Sequence, residues 1–153
     1  LPRFRKYLGV GAYIEGWALY AEQLAFEMGF YKNPLHNFGR LQNELWRAVR
    51  LVTDTGIHYK RWSREQAIEY FVTNTPLSPQ DIETEVERYF VNPGQALSYK
   101  MGMLKILELR EKAQAKLGNN FDIRDFHSSV LGAGALPLDA LEKRVEQYIN
   151  TKQ

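Results

Sequence analysis

The segment GAYIEGWALYAEQLAFEMGF, residues 11–30, is dense in strong helix formers and sets the carboxylate Glu15 among aromatic side chains. Alanine, leucine, methionine and glutamate all favour an α-helix, and Gly29 is a typical residue at a helix C-terminus. The segment therefore predicts a helix over residues 11–28. Glu15 and Glu22 are seven positions apart and share one face of that helix, with small residues between them.

Start and stop signals divide the rest of the chain into further helices. Ser63 with Gln66 three residues later forms a capping box, and Ser78 followed by Pro79 is a second helix start. No alternation of period two indicates a strand, so the sequence predicts an all-α fold in a single domain of six to seven helices. The predicted helices cover about residues 11–28, 34–59, 63–74, 78–92, 95–117, 122–132 and 137–150. The apolar stripe expected to face the core in the second helix is Leu41, Leu45, Ala48, Leu51 and Val52.

Composition narrows the class of protein. The net charge is only +2 over 153 residues, which argues against a nucleic-acid partner. The chain has no cysteine, so disulfides and thiolate metal sites are excluded. No apolar run reaches the length of about 18 residues that a transmembrane helix needs. The chain begins with Leu, and we expect it to be a fragment of a longer protein.

The carboxylate face of the first helix has two interpretations. A glutamate beside small and aromatic residues, if buried, must be paired, protonated or bound to a metal. The alternative is an ordinary solvated glutamate on an amphipathic helix.

A second polar pattern lies within the long second helix. Arg50, Asp54 and His58 follow one another at intervals of four and form a polar stripe. Asp54 is spaced to accept a ring N–H of His58 and to pair with Arg50. The alternative is a structural salt-bridge ladder that ends in a surface histidine.

A third pattern follows the break at residues 92–94. Pro93 and Gly94 make a sharp turn into a helix, and Gln95 and Tyr99 lie one turn apart on that helix. A tyrosine hydroxyl in a cleft can donate to a developing oxyanion. The alternative is a tyrosine that packs in the core with its hydroxyl at the rim. The chain has no pair of histidines at a spacing of four, so no complete metal site can be assembled from motifs.

Together these segments resemble the bacterial family called domain of unknown function 885 over nearly the whole chain. The motifs that carry the resemblance are EGWALYAEQLAFEMGFY (15–31), LWRAVRLVTDTGIH (45–58), WSREQAIEYF (62–71), VERYFVNPGQALSYKMG (86–102), LREKAQAKLGNNFDIRDFH (109–127) and VLGAGALPLDALE (130–142). Several long motifs in the same order make the resemblance specific, and the chain looks like the C-terminal helical portion of the family.

The resemblance implies a metal site. Members look like zinc metallopeptidases of the gluzincin type, with an upstream His-Glu-x-x-Pro-Gly-His helix that supplies two zinc ligands and a glutamate that activates water. The third ligand is a glutamate on a later helix, which implies Glu15 as a metal ligand in this chain. Trp17 and Tyr20 would then line the site and contact substrate. Three further residues are expected to hold the metal-binding and substrate-binding side chains in position without contacting metal or substrate themselves: Glu22, Arg50 and Asp54.

The resemblance also implies a role for the third pattern. The segment RYFVNPGQALSYKMG is similar to the tyrosine-bearing helix start of carboxypeptidase Taq-like peptidases. By this similarity Tyr99 would stabilise the tetrahedral intermediate, assisted by His58 or Arg88, and Gln95 would contact substrate.

The resemblance finally sets expectations for the isolated chain. The His-Glu helix is not in this sequence, which offers one candidate ligand of three, so we expect zinc in the full-length protein and no tight zinc binding or activity in the fragment. The expected partners are a peptide substrate, the N-terminal half of the same protein and, through exposed apolar surface, other copies of the fragment. The family suggests a periplasmic or membrane-anchored lipoprotein. The alternative function is a non-enzymatic helical binding module.

Overall fold

The computed structural model describes residues 2–153, and the regular structure of this part of the chain is entirely helical. This confirms the predicted all-α fold class. The α-helices are α1 (Gly11–Glu27), α2 (Pro34–His58), α3 (Arg64–Asn74), α4 (Pro79–Val91), α5 (Ser98–Leu117), α6 (Ile123–Leu131) and α7 (Leu138–Lys152). Short 3₁₀ helices lie at Arg3–Lys6, Gln95–Leu97 and Gly118–Asn120.

Local capping explains where these helices begin and end. The Ser63 hydroxyl accepts the backbone N–H of Gln66 while the Gln66 side chain accepts the N–H of Ser63, which completes the predicted capping box. Asp122 caps α6 by accepting the backbone N–H of Arg124. Gly29, just beyond α1, has a φ of +77°, which favours glycine. The predicted ends of the helices therefore agree closely with the structure.

The pair α1 and α5 forms the centre of the larger core. The two helices meet at Gly16 and Gly102, where a Cβ on either residue would overlap backbone atoms of the other helix. Helices α6 and α7 cover the other side of this core. Its fully buried members include Leu19, Tyr20, Met103, Ile106, Leu109, Phe126, Val130, Leu141 and Val145.

A second core lies between α2, α3 and α4. It contains Val49, Ile57, Ala67, Phe71, Ile82, Val86, Tyr89 and Ala96. Ala96 belongs to the 3₁₀ turn before α5, so this core fixes the start of α5 against α2.

The predicted orientation of α2 is wrong. Leu41, Leu45 and Val52 of the expected core stripe are 47%, 45% and 39% exposed. The buried positions of the helix are instead Val49, Arg50, Thr53, Asp54, Gly56 and Ile57. The physical reason is that this polar face binds the turn between α4 and α5, where its charges find partners that periodicity cannot reveal. None of the helices described over residues 2–153 is both long and apolar enough to cross a membrane.

Candidate functional site

The polar face of α2 holds the turn that leads into α5. Arg50 is 3% exposed, and its Nη2 donates to Gln95 Oε1 at 2.9 Å. Asp54 is 2% exposed, and its two carboxylate oxygens accept the backbone N–H of Gly94 at 3.2 and 3.1 Å. Gly94 has a φ of +80°, a conformation that a side chain would strain. The two charged groups of α2 thus each fix one residue of the turn.

These contacts replace the two that the sequence predicts. Arg50 is hydrogen-bonded to Gln95 rather than to Asp54. His58, at the exposed end of α2, places its Nε2 2.8 Å from the carbonyl oxygen of Tyr89 rather than on Asp54. Because a carbonyl oxygen only accepts, Nε2 of His58 must carry the proton. The expected Arg50–Asp54–His58 ladder is therefore wrong in its pairing, since each member bonds across to the α4–α5 region.

Burial affects the acidity of Asp54. Burial raises the pKa of this carboxyl group above its ordinary value, against the opposing effects of the Gly94 N–H and of the charges of His58 and Arg50. The cost of burying this charge is offset in part by the hydrogen bonds that it accepts.

Tyr99 stands on the first turn of α5 beside two guanidinium groups. The ring centroid lies 4.8 Å from Cζ of Arg50 and 5.7 Å from Cζ of Arg47. The ring is partly buried, whereas its hydroxyl has no hydrogen-bond partner among residues 2–153. The ring is therefore held by cation–π contacts and the hydroxyl keeps its capacity to donate.

Arg88 lies apart from this cluster, on the exposed side of α4. Its Nη2 donates to Glu85 at 2.8 Å, and its side chain is 48% exposed. Glu85 also accepts the hydroxyl of Tyr89 at 2.9 Å and approaches Nε of Arg50 to 3.9 Å. Arg88 is thus connected to Arg50 only through Glu85.

The carboxylate face of α1 lies at the edge of the contact with α5. Glu15 and Glu22 are partly buried, Ala18 between them is exposed, and Ile14 is 49% exposed. Glu27 of the same helix pairs with Arg110, but Glu15 and Glu22 have no hydrogen-bond or ion-pair partner within the described part of the chain. The sequence analysis expects Arg50 and Asp54 to support a site at Glu15, and this expectation stays a prediction.

Tyr20 does not line an open site. It is 0% exposed, and its hydroxyl lies 2.8 Å from Nε2 of His127 and accepts from Arg110 at 3.3 Å. The expectation that Tyr20 contacts substrate is corrected by this burial. Trp17 is partly exposed and stacks edge-on against His127 with ring centroids 5.5 Å apart.

This network of Tyr20, His127 and Arg110 is the feature that sequence reasoning missed. Its members lie up to 107 positions apart, so no local spacing connects them. Burial, and secondarily the charge of Arg110, lower the pKa of His127, and burial raises the pKa of Tyr20. Because the Tyr20 hydroxyl oxygen already accepts from Arg110, its O–H donates a hydrogen bond to Nε2 of a neutral His127.

The donor set for a metal is incomplete in the described residues. No three histidine or carboxylate side chains of residues 2–153 lie close enough together to hold a metal ion. Glu15 has the chemistry of a single zinc ligand, since it is an unpaired carboxylate at a partly exposed position.

Comparison with known proteins places the chain in a family. The model of a family described as bacterial protein of unknown function (DUF885) matches residues 1–145. The chain belongs to the DUF885 family. A solved structure that it resembles is that of a "putative lipoprotein" from Colwellia psychrerythraea, at 53% sequence identity and a TM-score of 0.95.

The extent of this match is unequal in the two proteins. It covers 99% of this chain and 26% of the Colwellia chain, so the DUF885 chain described here spans about a quarter of the length of that protein. None of the curated proteins compared with the chain matches it.

Proposed function

We propose that this chain is part of a zinc-dependent peptidase of the DUF885 family and that Glu15 is its contribution to the metal. The observation that carries the proposal is the unpaired, partly buried carboxylate of Glu15 on a helix face without a partner in this chain. A partly exposed carboxylate without a partner in its own chain is accessible to a metal ion whose other ligands come from elsewhere. The family motif around EGWALYAE supports the same assignment.

The other ligands would come from a part of the longer protein outside these 153 residues. Once bound, zinc would act as a Lewis acid on a peptide carbonyl and lower the pKa of its water to about 7. Trp17 and Gln95 are the side chains proposed to contact the peptide, and Glu22 supports Glu15 from the next turns of α1.

Tyr99 is proposed to donate its free hydroxyl to the oxyanion of the tetrahedral intermediate. Arg50 positions it twice, by stacking on its ring and by holding Gln95 in the turn. Asp54 positions it through Gly94. His58 and Arg88 are the proposed assisting groups; both are exposed and belong to elements next to the turn.

The Colwellia relative supports a proposal for the location. That protein is described as a putative lipoprotein, and we extend to this protein a periplasmic or membrane-anchored location.

The experiment uses the longer protein that contains this chain. Glu15→Ala should remove bound zinc, measured by elemental analysis, together with peptidase activity, whereas Glu22→Ala, which removes only a supporting group, should weaken zinc binding without abolishing it. Tyr99→Phe should keep zinc and lower kcat by about 10²–10³-fold, the usual effect of losing one oxyanion donor. A Glu15→Ala protein with full zinc content and activity would refute the proposal.

A non-enzymatic helical module is the second candidate. The contacts of the polar face of α2 favour it. Arg50, Asp54 and His58 each make a hydrogen bond that holds the α4–α5 region in place. A longer protein that contains no zinc and hydrolyses no peptide would decide for this module.

A further inference from the structure

Helix α2 carries an apolar stripe with the period of a coiled coil. Phe38, Leu45 and Val52 follow one another at intervals of seven, and Leu41 and Ala48 lie three residues after the first two of them. These are the a and d positions of a heptad pattern, at which one helix packs against another. We call Phe38, Leu41, Leu45, Ala48 and Val52 the α2 stripe.

The α2 stripe faces outward. Phe38 is 58% exposed, and exposure falls along the helix through 47% at Leu41 and 45% at Leu45 to 39% at Val52. The opposite face of α2 is already occupied, because Arg50, Thr53, Asp54 and Ile57 are buried against α3, α4 and the turn before α5.

The helix therefore cannot rotate to bury the stripe without breaking the contacts of Arg50 and Asp54. A row of large apolar side chains exposed over four turns is unusual on a monomeric surface and marks an interaction site. Because the stripe has heptad spacing, a second helix with an apolar face of its own would fit against it.

We propose that the α2 stripe is the docking seam for an α-helix from another part of a longer protein, of which this chain is about a quarter. The length of the Colwellia relative supports this occupant, since about three quarters of that chain lies outside the match. The proposal goes beyond the proposed function, because the seam needs neither zinc nor peptide.

The test uses thiol labelling, since the chain has no cysteine of its own. Leu45→Cys introduces a thiol in the α2 stripe, and Ala115→Cys introduces one at an exposed position of α5 as the matched control. Each is made in the 153-residue chain and in the longer protein, and the labelled peptide is quantified by mass spectrometry over a range of protein concentrations. Val52→Cys serves as a second stripe variant if circular dichroism shows that Leu45→Cys fails to fold.

In the longer protein we expect labelling at position 45 to slow at least tenfold relative to position 115, independently of protein concentration. In the 153-residue chain at low concentration the two positions should label at similar rates. Equal labelling in the longer protein would overturn the proposal. Protection in the longer protein that develops only as its concentration rises would also overturn it, because the occupant would then be a second copy. Neither readout depends on zinc, so failure of the seam and failure of the metal site are distinguishable.

Discussion

Asp54 and Gly94, forty positions apart, are joined by a backbone N–H that both carboxylate oxygens accept, at 3.2 and 3.1 Å. Asp54 lies on the buried face of α2, and Gly94 has the positive φ that reverses the chain before α5. The bond therefore ties the long helix to the turn that presents Tyr99. The functional role proposed for Tyr99 depends on this tie.

The first prediction concerns Asp54. Asp54→Ala leaves the partly buried Gly94 N–H without its acceptor and should lower the free energy of unfolding by about 1–3 kcal/mol. Asp54→Asn keeps an acceptor oxygen and removes the buried charge, so its loss should be clearly smaller. Urea unfolding of both variants measures the difference. Equal destabilisation by the two substitutions would show that the hydrogen bond to Gly94 is not what matters.

The second prediction concerns the crossing of α1 and α5. A Cβ on Gly102 would overlap the carbonyl oxygen of Ala12 and the Cα of Gly16. Gly102→Ala should therefore force the helices apart and destabilise the protein by about 1–3 kcal/mol or more, as overpacking does.

The control for Gly102 is Gly39, which lies within α2 and has open space around its Cα. Gly39→Ala should stabilise the protein by up to about 1 kcal/mol through helix propensity alone. Thermal unfolding of the two variants should shift in opposite directions. A Gly102→Ala protein as stable as Gly39→Ala would contradict the close contact of the two helices.

The third prediction concerns pH. The pKa of His127 lies below 6.5 in the folded protein, chiefly because of burial and secondarily because of Arg110, with Glu27 opposing. As pH falls through 6.5 the unfolded chain takes up a proton that the folded chain resists, so stability falls. The contribution of neutral His127 is thus complete above pH 6.5 and is lost as pH drops toward the lower folded value.

The measurement is the free energy of unfolding between pH 7.5 and 5, compared between the unaltered protein and His127→Gln so that other titrating groups such as Asp54 contribute to both. His127→Gln keeps an acceptor for the Tyr20 hydroxyl but does not titrate. It should flatten the pH dependence of stability in this window. An unchanged slope in His127→Gln would show that His127 is not the group responsible.

The sequence predicts the helices well because their ends are set locally. Ser63 and Gln66 make both bonds of the capping box within one turn. Gly29 adopts its positive φ without help from any distant residue. The orientation of α2 was predicted wrongly because it depends on partners far along the chain. Periodicity assigns Leu41 and Leu45 to the core, but the hydrogen bonds of Arg50 and Asp54 to residues 94–95 turn the helix the other way.

In the candidate site, too, features set by nearby residues could be predicted and features set by distant residues could not. Glu15 and Tyr99 can be selected from motifs, whereas the burial of Tyr20 follows from His127 and Arg110, which no spacing in the sequence connects to it. The burial and hydrogen-bond partners of a side chain can thus be predicted from spacing only where those partners lie within one or two helical turns along the chain.

The last prediction concerns the metal in the 153-residue chain by itself. Complete structural zinc sites have apparent binding energies of about 10–16 kcal/mol, supplied by four ligands together. Of the ligands proposed for the metal this chain contains Glu15 alone, and no group of three possible ligands lies together in residues 2–153. Zinc should therefore bind no better than it binds to a surface carboxylate.

Titration calorimetry with zinc measures this directly, with Glu15→Ala as the control. Both proteins should give the same weak signal, because a single carboxylate cannot displace the hydration of zinc effectively. The longer protein should bind zinc tightly, and there Glu15→Ala should abolish the binding. Submicromolar binding by the 153-residue chain would contradict the proposal, since the ligands would then have to come from within it.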